Sequence, residues 1–417
     1  MLSKKLAVKD VAGKIKGKKV LIRVDFNVPM KDGKITDFTR IQESLQTINF
    51  VKENGAKSIT LMSHLGNPKV YDNVKNMKLS LKHIVSDVSR LLKQDVHFLD
   101  DCVGENVQQA VSKADGGKIL LLENLRFHSS EEGVIYDSTG AKKGKESKEK
   151  IDAFRSELTR WGDNYVNDAF GTSHRAHSSI VGCKQDIRCA GFLLKKELDF
   201  FSKVLENPEK PLTVIMGGAK VKDKTNIITN LLDKVNKMII VGGMTYTFLK
   251  AMNPNFEIGK SLYDAEGASL VPSIIEKAKK NNVEMIFPVD FICASQLHGK
   301  LEDNKYSLGS IPKELIGIDV GSKSMELINK AIRESKTIFL NGSCGVFESE
   351  PGRAGSLEMV RTIIETTKKG SISVCGGGDT VNLVNLVPGA KDVMSHISTG
   401  GGASLELIEG KDRKSVV

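Results

Sequence analysis

Four apolar runs in the first half of the chain each lead into polar or charged residues whose types suit the binding of an anion. Those residues include Asp25, Asn27, His64, Arg126, His174 and Arg175, and Arg40 opens the first amphipathic helix. Arginine presents a planar fork of donors that matches carboxylate and phosphate oxygens. For any one of these residues alone, a role in binding is no better supported than a role as a surface charge or a structural histidine. Their recurrence at four strand ends, where open α/β sheets bind ligands, predicts a basic pocket for a small polyanion.

Apolar runs in the second half of the chain lead instead into glycines. The turns are Gly217-Gly218-Ala219-Lys220, Gly242-Gly243, Asn341-Gly342, Gly376-Gly377-Gly378-Asp379-Thr380 and Thr399-Gly400-Gly401-Gly402. Glycine lets the backbone approach a phosphate closely, and a following helix N-terminus offers free N–H donors. A single turn of this kind is explained by tight strand-to-helix geometry alone. Five of them in one domain favour a nucleotide polyphosphate site.

Three side chains near these turns could handle phosphate charge. Lys220 and Lys224 are four residues apart near a helix start, so both can face one side. Asp379 follows three glycines and is a candidate ligand for Mg²⁺, which prefers carboxylate and phosphate oxygens. The sequence has neither a Walker A motif nor a Gly-x-Gly-x-x-Gly fingerprint after the first strand, which disfavours a P-loop or a dinucleotide fold.

The elements that must position these residues alternate along the chain. Predicted strands in the first half are Val20–Val28, Ser58–Gly66, Val96–Leu99, Lys118–Phe127 and Tyr165–Gly171, separated by amphipathic helices. A long helix follows around Leu193–Asn207. Predicted strands then resume as Leu212–Met216, Lys237–Val241, Glu284–Val289, Thr337–Leu340, Ser371–Cys375 and His396–Thr399. This pattern predicts two parallel-sheet, Rossmann-like α/β domains joined by a long helix, with the ligand cleft between them.

Bulk properties agree with an enzyme of two domains. The chain has 417 residues, and single cores stop growing near roughly 250–300 residues. No segment resembles a membrane span or a signal peptide, so we expect a cytoplasmic protein without a membrane partner. Six cysteines without a Cys-x-x-Cys pair argue against a zinc or disulfide framework. The net charge of +10 fits either a small anionic substrate or nucleic acid. The densest basic run, Lys142–Lys150, is interrupted by acidic residues and lacks aromatic residues, so it is interpreted as a solvated surface loop rather than a nucleic-acid site.

Taken together, the motifs resemble those of the phosphoglycerate kinase family. The matching stretches are RVDFNVPM (Arg23–Met30), LMSHLG (Leu61–Gly66), LLENLRFH (Leu121–His128), NDAFGTSHRAHSS (Asn167–Ser179), GGAKVKDK (Gly217–Lys224), NGSCGVFE (Asn341–Glu348), GGGDT (Gly376–Thr380) and STGGGASLELIEGK (Ser398–Lys411). They cover nearly the whole chain in family order. The resemblance implies reversible phosphoryl transfer between 1,3-bisphosphoglycerate and Mg-ADP, giving 3-phosphoglycerate and Mg-ATP, by a monomer that closes about a hinge.

The resemblance also implies residue roles. For 3-phosphoglycerate it implies Asp25, Asn27, Arg40, His64, Arg126, His174 and Arg175. For ATP or ADP it implies Gly218, Ala219, Lys220, Lys224, Gly242, Gly243, Leu262, Gly317, Asn341, Gly342, Phe347, Glu348, Gly378, Asp379 and Thr380. The implied Mg²⁺ ligands are Asp379 and Asp223, and the implied catalytic residues are Arg40, Lys220, Lys224 and Gly401. The implied domains are 1–192 for 3-phosphoglycerate, 193–208 for the hinge helix, 209–404 for the nucleotide, and a segment 405–417 that returns to the N-terminal domain.

The chain departs from the family pattern at several positions. Asn67 replaces a usual arginine, which removes a cation from the basic pocket. Leu340 replaces a tryptophan, Val241 replaces a glycine, and Ser343-Cys344 replaces a proline-containing turn, so we expect a looser nucleotide loop. The tail beginning Asp412-Arg413-Lys414 differs from the usual Leu-Pro-Gly ending.

Three alternatives remain open at this stage. A ligand-binding or regulatory protein with the same fold would bind nucleotide without turnover. A nucleic-acid-binding protein would show strongly salt-dependent binding. An α/β oxidoreductase would bind NAD(H), although the dinucleotide fingerprint is missing.

Overall fold

The structure is a computed structural model that describes residues 2–68 and 76–410. These residues form two compact units that divide between Asp199 and Phe200, within the helix Phe192–Leu205. The domain boundaries predicted at 192 and 208 stay predictions. The predicted return of segment 405–417 to the N-terminal domain lies largely outside the described residues, which end at 410. Among the described residues, no helix combines the length and apolar character needed to cross a bilayer.

The first unit is built on a six-stranded sheet whose strand pairs are all parallel. Its strands lie in the spatial order Ile187–Ala190, Asn164–Asn167, Lys19–Arg23, Ser58–Met62, Lys118–Leu121 and Val96–Phe98. Its helices include Thr39–Glu53, Val85–Leu92, Glu105–Lys113, Ser129–Glu132, Lys148–Arg160 and Ser178–Val181. The central strands are buried along nearly their whole length, as expected for a parallel sheet covered on both faces.

The second unit repeats this architecture with a second six-stranded parallel sheet. Its strands lie in the order Glu284–Ile286, Lys237–Ile240, Leu212–Met216, Thr337–Asn341, Ile372–Cys375 and His396–Ile397. Its helices include Thr225–Leu231, Met244–Met252, Ala265–Ala268, Val271–Lys280, Ser322–Arg333, Ala354–Lys368, Gly378–Asn385, Ala390–Val393 and Gly402–Ile408. The predicted fold class, two parallel-sheet α/β domains, is confirmed.

Several predicted strands were too long at their C-terminal ends. The run predicted as Val20–Val28 is a strand only over Lys19–Arg23. Beyond it, side chains replace the neighbouring strand as hydrogen-bond partners, because Phe26 N donates to Ser63 Oγ (2.9 Å) and Asn27 N donates to Asp25 Oδ1 (3.2 Å). Other predicted strands are also shorter than expected, and they end at Met62, Leu121, Asn167 and Ile286.

Some strands of the structure were not predicted from the sequence. Ile187–Ala190 forms one edge of the first sheet, and Asp290–Ala294, Lys305–Leu308 and Ile316–Val320 form a separate antiparallel sheet in the second unit. These segments are short and contain charged residues or glycine, so their apolar periodicity is weak.

Candidate functional site

Two loops at the carboxyl edge of the first sheet hold each other through polar side chains. Arg40 Nη1 donates to Asp25 Oδ2 at 2.7 Å, and the Asp25 side chain is only 8% exposed. Gly66 N donates to Asn27 Oδ1 at 2.7 Å. These two bonds link the residues after the strand Lys19–Arg23 to the helix Thr39–Glu53 and to the loop after the strand Ser58–Met62. The predicted residues Asp25, Asn27 and Arg40 therefore share one edge of the sheet.

Arg126 extends this arrangement from the next strand. Its Nη1 donates to the Gly66 carbonyl at 3.0 Å, and its Nε lies 3.1 Å from Glu132 Oε1. His174 and Arg175 contact each other, because Arg175 Nε lies 3.2 Å from His174 Nε2. The positive charge of Arg175 acts on Arg126, so the two arginines lie close enough to interact. We refer to this group of side chains, with Arg40, as the basic pocket; its guanidinium groups are of the type that suits carboxylate and phosphate oxygens.

A buried polar network lies behind this pocket and was not predicted from the sequence. Arg23 Nη2 lies 3.2 Å from His64 Nδ1, and Arg23 Nε donates to Ser179 Oγ at 3.0 Å. Ser179 in turn donates to Glu131 through its backbone N (2.9 Å) and its hydroxyl (2.6 Å). Arg23 and Ser179 are fully buried, and Glu131 and His64 nearly so. The one available signal was an arginine within the apolar strand Lys19–Arg23, a position where an unpaired charge is costly.

The network fixes the protonation state of His64. Guanidinium groups only donate hydrogen bonds, so His64 Nδ1 must accept from Arg23. Burial, followed by the nearby positive charge of Arg23, lowers the pKa of His64 well below 6.5. The ring is therefore neutral at pH 7 and carries its proton on Nε2. A neutral Nε2–H is a hydrogen-bond donor for an anionic substrate oxygen.

His177 lies near the same arginines and is also neutral. Burial, followed by the charges of Arg126 and Arg23, lowers its pKa to about 3. The carboxylates of Glu131 and Glu132 lie 3.8 Å from its ring nitrogens, but they do not outweigh burial and the cations. These contacts are therefore not ion pairs at neutral pH.

In the second unit, a cavity of about 300 Å³ opens beside the glycine turns. Seven of the residues predicted to contact the nucleotide line it: Gly218, Ala219, Gly242, Gly243, Leu262, Gly317 and Glu348. The rest of the lining is largely apolar. Ser343 and Cys344 belong to the turn already noted in the sequence, whereas these lining residues were not predicted from it: Tyr246, Leu297, Ile316, Ile318 and Val346. An apolar cavity with a few polar groups at its rim is typical of a site for a nucleoside.

Glycine is required at Gly317, in the cavity wall, and at Gly342, close to it in the chain, because any side chain there would clash with a neighbouring residue. A Cβ at Gly317 would lie 2.1 Å from Tyr246 Oη, and a Cβ at Gly342 would lie 2.4 Å from Gly217 Cα. Gly342 also has a φ of +117°, which L side chains rarely adopt. These contacts lie within the protein, so the sequence prediction that the glycine turns let the backbone approach a phosphate stays a prediction.

A second cluster joins the ends of three neighbouring strands. Lys224 Nζ donates to Asn341 Oδ1, Asn341 Nδ2 donates to the Gly376 carbonyl (2.6 Å), and Gly342 N donates to Thr380 Oγ1 (2.9 Å). Burial lowers the pKa of Lys224, although the negative charge of Asp379 acts against this shift. Asp379 and Thr380 lie in the first turn of the helix Gly378–Asn385, whose N-terminus favours anions.

The remaining predicted residues lie at other points of the second unit. Asp223 is exposed, and its charge acts on Lys224. Lys220 is exposed, whereas Phe347 is buried next to the cavity-lining residue Val346. Gly401 precedes the helix Gly402–Ile408 with a φ of +50°. None of Lys220, Lys224, Phe347, Gly378 or Asp379 belongs to the cavity lining among the described residues.

The unusual Ser343-Cys344 turn lies in the cavity wall itself. Ser343 Oγ donates to the Gly345 carbonyl at 2.7 Å, and Cys344 N and Gly345 N both lie within hydrogen-bond distance of Ser356 Oγ (3.0 and 3.2 Å). These bonds hold the turn in the absence of proline. Asn67, the other notable departure, is exposed beside Gly66.

Comparison with known proteins gives consistent matches along the chain. Residues 8–411 match the family described as phosphoglycerate kinase. A phosphoglycerate kinase of Euplotes crassus is 54% identical, covering 99% of this chain and 97% of that protein. One of Sterkiella nova is 52% identical, covering 100% and 99%. The solved structure of phosphoglycerate kinase from Coxiella burnetii has a TM-score of 0.85 at 33% identity, covering 99% of this chain and 98% of that one.

Proposed function

Because the chain belongs to the phosphoglycerate kinase family, whose members are kinases with a carboxyl group as acceptor, we propose that it interconverts 1,3-bisphosphoglycerate plus Mg-ADP and 3-phosphoglycerate plus Mg-ATP. One observation carries this proposal. A basic pocket suited to a small polyanion lies in one unit, and a glycine-lined cavity next to a lysine and a helix N-terminus lies in the other.

The basic pocket is proposed to bind 3-phosphoglycerate. Arg40, Arg126 and Arg175 supply positive charge and forked donors for the phosphate and carboxylate groups. His64 adds a neutral donor, since Arg23 directs its proton to Nε2. Asp25 and Asn27 orient these groups through their bonds to Arg40 and Gly66. His174 contacts Arg175 and would steady it.

The cavity of the second unit is proposed to bind the nucleoside part of ATP or ADP. Glu348 at its rim is suited to accept hydrogen bonds from ribose hydroxyls, and the apolar side chains suit the base. The phosphates would then extend to Lys224, Gly378 and the N-terminus of the helix Gly378–Asn385. That helix offers N–H donors and a positive dipole end.

Asp379, with Asp223, is proposed to hold Mg²⁺. The donor chemistry fits, because both residues are exposed carboxylates next to the proposed phosphate position and their charges act on Lys224. When bound, Mg²⁺ neutralises charge on the phosphate oxygens.

The transfer itself requires positioning and charge stabilisation more than covalent chemistry by the protein. In the direction of ATP consumption, a carboxylate oxygen of 3-phosphoglycerate forms a bond to the γ-phosphorus while the bond to the β–γ bridging oxygen breaks, and ADP leaves. Arg40, Lys220, Lys224 and the turn at Gly401 are proposed to stabilise the equatorial oxygens.

The two proposed sites belong to different units, so we propose that hinge closure about the helix Phe192–Leu205 precedes in-line transfer. Small-angle scattering tests this: the radius of gyration should fall when Mg-ATP analogue and 3-phosphoglycerate are both present. An unchanged radius would contradict closure.

We also propose that the protein acts as a cytoplasmic monomer.

Turnover with Mg-ATP and 3-phosphoglycerate, followed by oxidation of NADH through a coupled dehydrogenase, tests the activity. The departures at Asn67 and Ser343-Cys344 favour one second candidate, a weakened family member that acts as a ligand-binding or regulatory protein. Nucleotide binding without turnover would support that second candidate and contradict the first.

A further inference from the structure

A cluster of metal-ligand side chains lies apart from the residues assigned to the reaction. Asp101, Cys102 and His128 offer ligand atoms that all lie within 4.8 Å of one another. Across residues 2–68 and 76–410, this is the one group of three or more histidine, cysteine and acidic side chains with such proximity. Asp101 and Cys102 lie on the loop after the strand Val96–Phe98, and His128 follows the neighbouring strand Lys118–Leu121.

The cluster is held in place before any ion binds. His128 Nε2 lies 2.7 Å from Asp101 Oδ1, and the Cys102 backbone N donates to the same oxygen at 2.6 Å. Trp161 Nε1 donates to the Cys102 carbonyl at 2.9 Å. The His128 ring packs against Phe154 with centroids 5.0 Å apart. Loop and ring are therefore both preorganised, which reduces the entropic cost of forming a site.

A fourth candidate ligand atom, a carbonyl oxygen, is close to the thiol. Cys102 Sγ lies 3.0 Å from the Glu123 backbone carbonyl. The available donors are thus one sulfur, one imidazole nitrogen and two oxygens. Mixed sulfur, nitrogen and oxygen ligands in a four-coordinate arrangement suit Zn²⁺, whereas Mg²⁺ requires oxygen ligands.

We propose that Asp101, Cys102 and His128 bind one Zn²⁺ ion, with the Glu123 carbonyl or a water as fourth ligand. Zinc would bond to the Cys102 thiolate and release the thiol proton to solvent. His128 would bind through one ring nitrogen and keep its proton on the other. Cys102 is fully buried, but the Asp101 and His128 side chains are 51% and 30% exposed and give the ion a route in from solvent.

Zinc at this position would join two loops that the substrate pocket depends on. The Glu123 side chain accepts from Ser80 Oγ (2.5 Å) and Leu81 N (2.9 Å). Asn124, the next residue, donates to the Leu65 and Leu79 carbonyls at 2.8 Å and leads into Arg126. The site would therefore stabilise the first unit rather than take part in phosphoryl transfer. Sequence spacing could not reveal it, because the ligands are brought together by neighbouring strands.

The test uses the full chain with reduced thiols, no nucleotide and excess Mg²⁺ to occupy oxygen-only sites. Three quantities are measured. They are the Zn²⁺ content after desalting, the Zn²⁺ affinity by competition with a chromophoric chelator, and the absorption spectrum of the Co²⁺-substituted protein. Asp101→Asn and His128→Gln alter partly exposed ligands and preserve hydrogen-bonding groups, and Cys102→Ala removes the thiolate. Cys189→Ala, at a buried cysteine outside the cluster, and His97→Gln, at an exposed histidine, are the matched controls.

We expect one equivalent of Zn²⁺ and a thiolate-to-cobalt charge-transfer band in the wild type and both controls. Asp101→Asn and His128→Gln should weaken Zn²⁺ binding by roughly tenfold or more, and the cobalt band should disappear in Cys102→Ala. Absence of Zn²⁺ binding in the wild type would overturn the proposal. Undiminished Zn²⁺ binding in both Asp101→Asn and His128→Gln would also overturn it. This second result holds even if Cys102→Ala fails to fold.

Discussion

Arg23 Nη2 lies 3.2 Å from His64 Nδ1, and both side chains are buried behind the basic pocket. Arg23 is itself held through Ser179, which is bonded to Glu131. Arg23 can therefore determine which nitrogen of His64, a residue proposed to bind substrate, carries the proton.

The first prediction concerns that proton. In ¹⁵N NMR spectra, His64 should be a neutral Nε2–H tautomer, and it should stay neutral as the pH falls from 8 to 6.5, where an ordinary histidine is half protonated, because its pKa lies well below 6.5. Arg23→Met should abolish the tautomer preference. Ser179→Ala, which removes the partner of Arg23 Nε but leaves Nη2, should largely preserve it. A ring protonated on Nδ1 at neutral pH would contradict the described contact.

The second prediction concerns stability in mild acid. The folded pKa of His177 is about 3 and its ordinary value is 6.5, so below pH 6.5 the unfolded chain binds a proton that the folded chain does not. The free energy of unfolding should therefore fall by about 1.4 kcal/mol per pH unit from this residue, or about 2 kcal/mol between pH 6.5 and 5. Urea unfolding across this range measures the effect.

His177→Gln is the matched variant for that measurement, because glutamine cannot take up the proton. Subtracting the free energy of unfolding of the variant from that of the wild type removes the contributions of the other titratable groups. One of these is Glu131, whose pKa is raised by burial, so that its contribution to the pH dependence has the opposite sign. If both proteins lose stability equally between pH 6.5 and 5, His177 is not neutral in the folded state.

The third prediction separates structural glycines from ligand-binding ones. Gly342→Ala should destabilise the fold by on the order of 1–3 kcal/mol, since φ is +117° and the new Cβ would meet Gly217 Cα at 2.4 Å. The Cβ that Gly378→Ala adds would have no atom within 4 Å, and the residue lies at a helix start. The melting temperature of this variant should therefore be unchanged or higher. Its Kd for Mg-ATP should nevertheless rise roughly tenfold, about 1.4 kcal/mol, if the Gly378 backbone contacts a phosphate. Unchanged affinity would remove Gly378 from the site.

Local sequence patterns predicted the two parallel sheets and the kinds of residue at their edges. Buried parallel strands such as Ser58–Met62 are continuous apolar runs, and the turns after them need glycine or carry charge. The ends of the strands were predicted less well, because side chains such as Ser63 take over the backbone hydrogen bonds of the next loop.

Contacts between distant residues could not be predicted in this way. Arg23 and Ser179 are separated by 156 positions, and no local periodicity links them. The apolar lining of the cavity was missed for a similar reason. Residues such as Ile316 and Ile318 belong to a short antiparallel strand outside the main sheet, and their role depends on how that strand packs.

Lys220 and Asp379 are proposed to serve phosphoryl transfer from Mg-ATP to 3-phosphoglycerate. The most direct test is the coupled rate of NADH oxidation for the wild type, Lys220→Ala, Asp379→Ala and Lys222→Ala. Lys222 is a matched control, because it is exposed in the same segment and its Nζ lies 2.6 Å from Glu266 Oε2. We predict robust wild-type turnover, little change in Lys222→Ala, and losses of roughly 10²–10³ in kcat for Lys220→Ala and Asp379→Ala. No turnover in the wild type, or equal rates in all four proteins, would contradict these roles for Lys220 and Asp379.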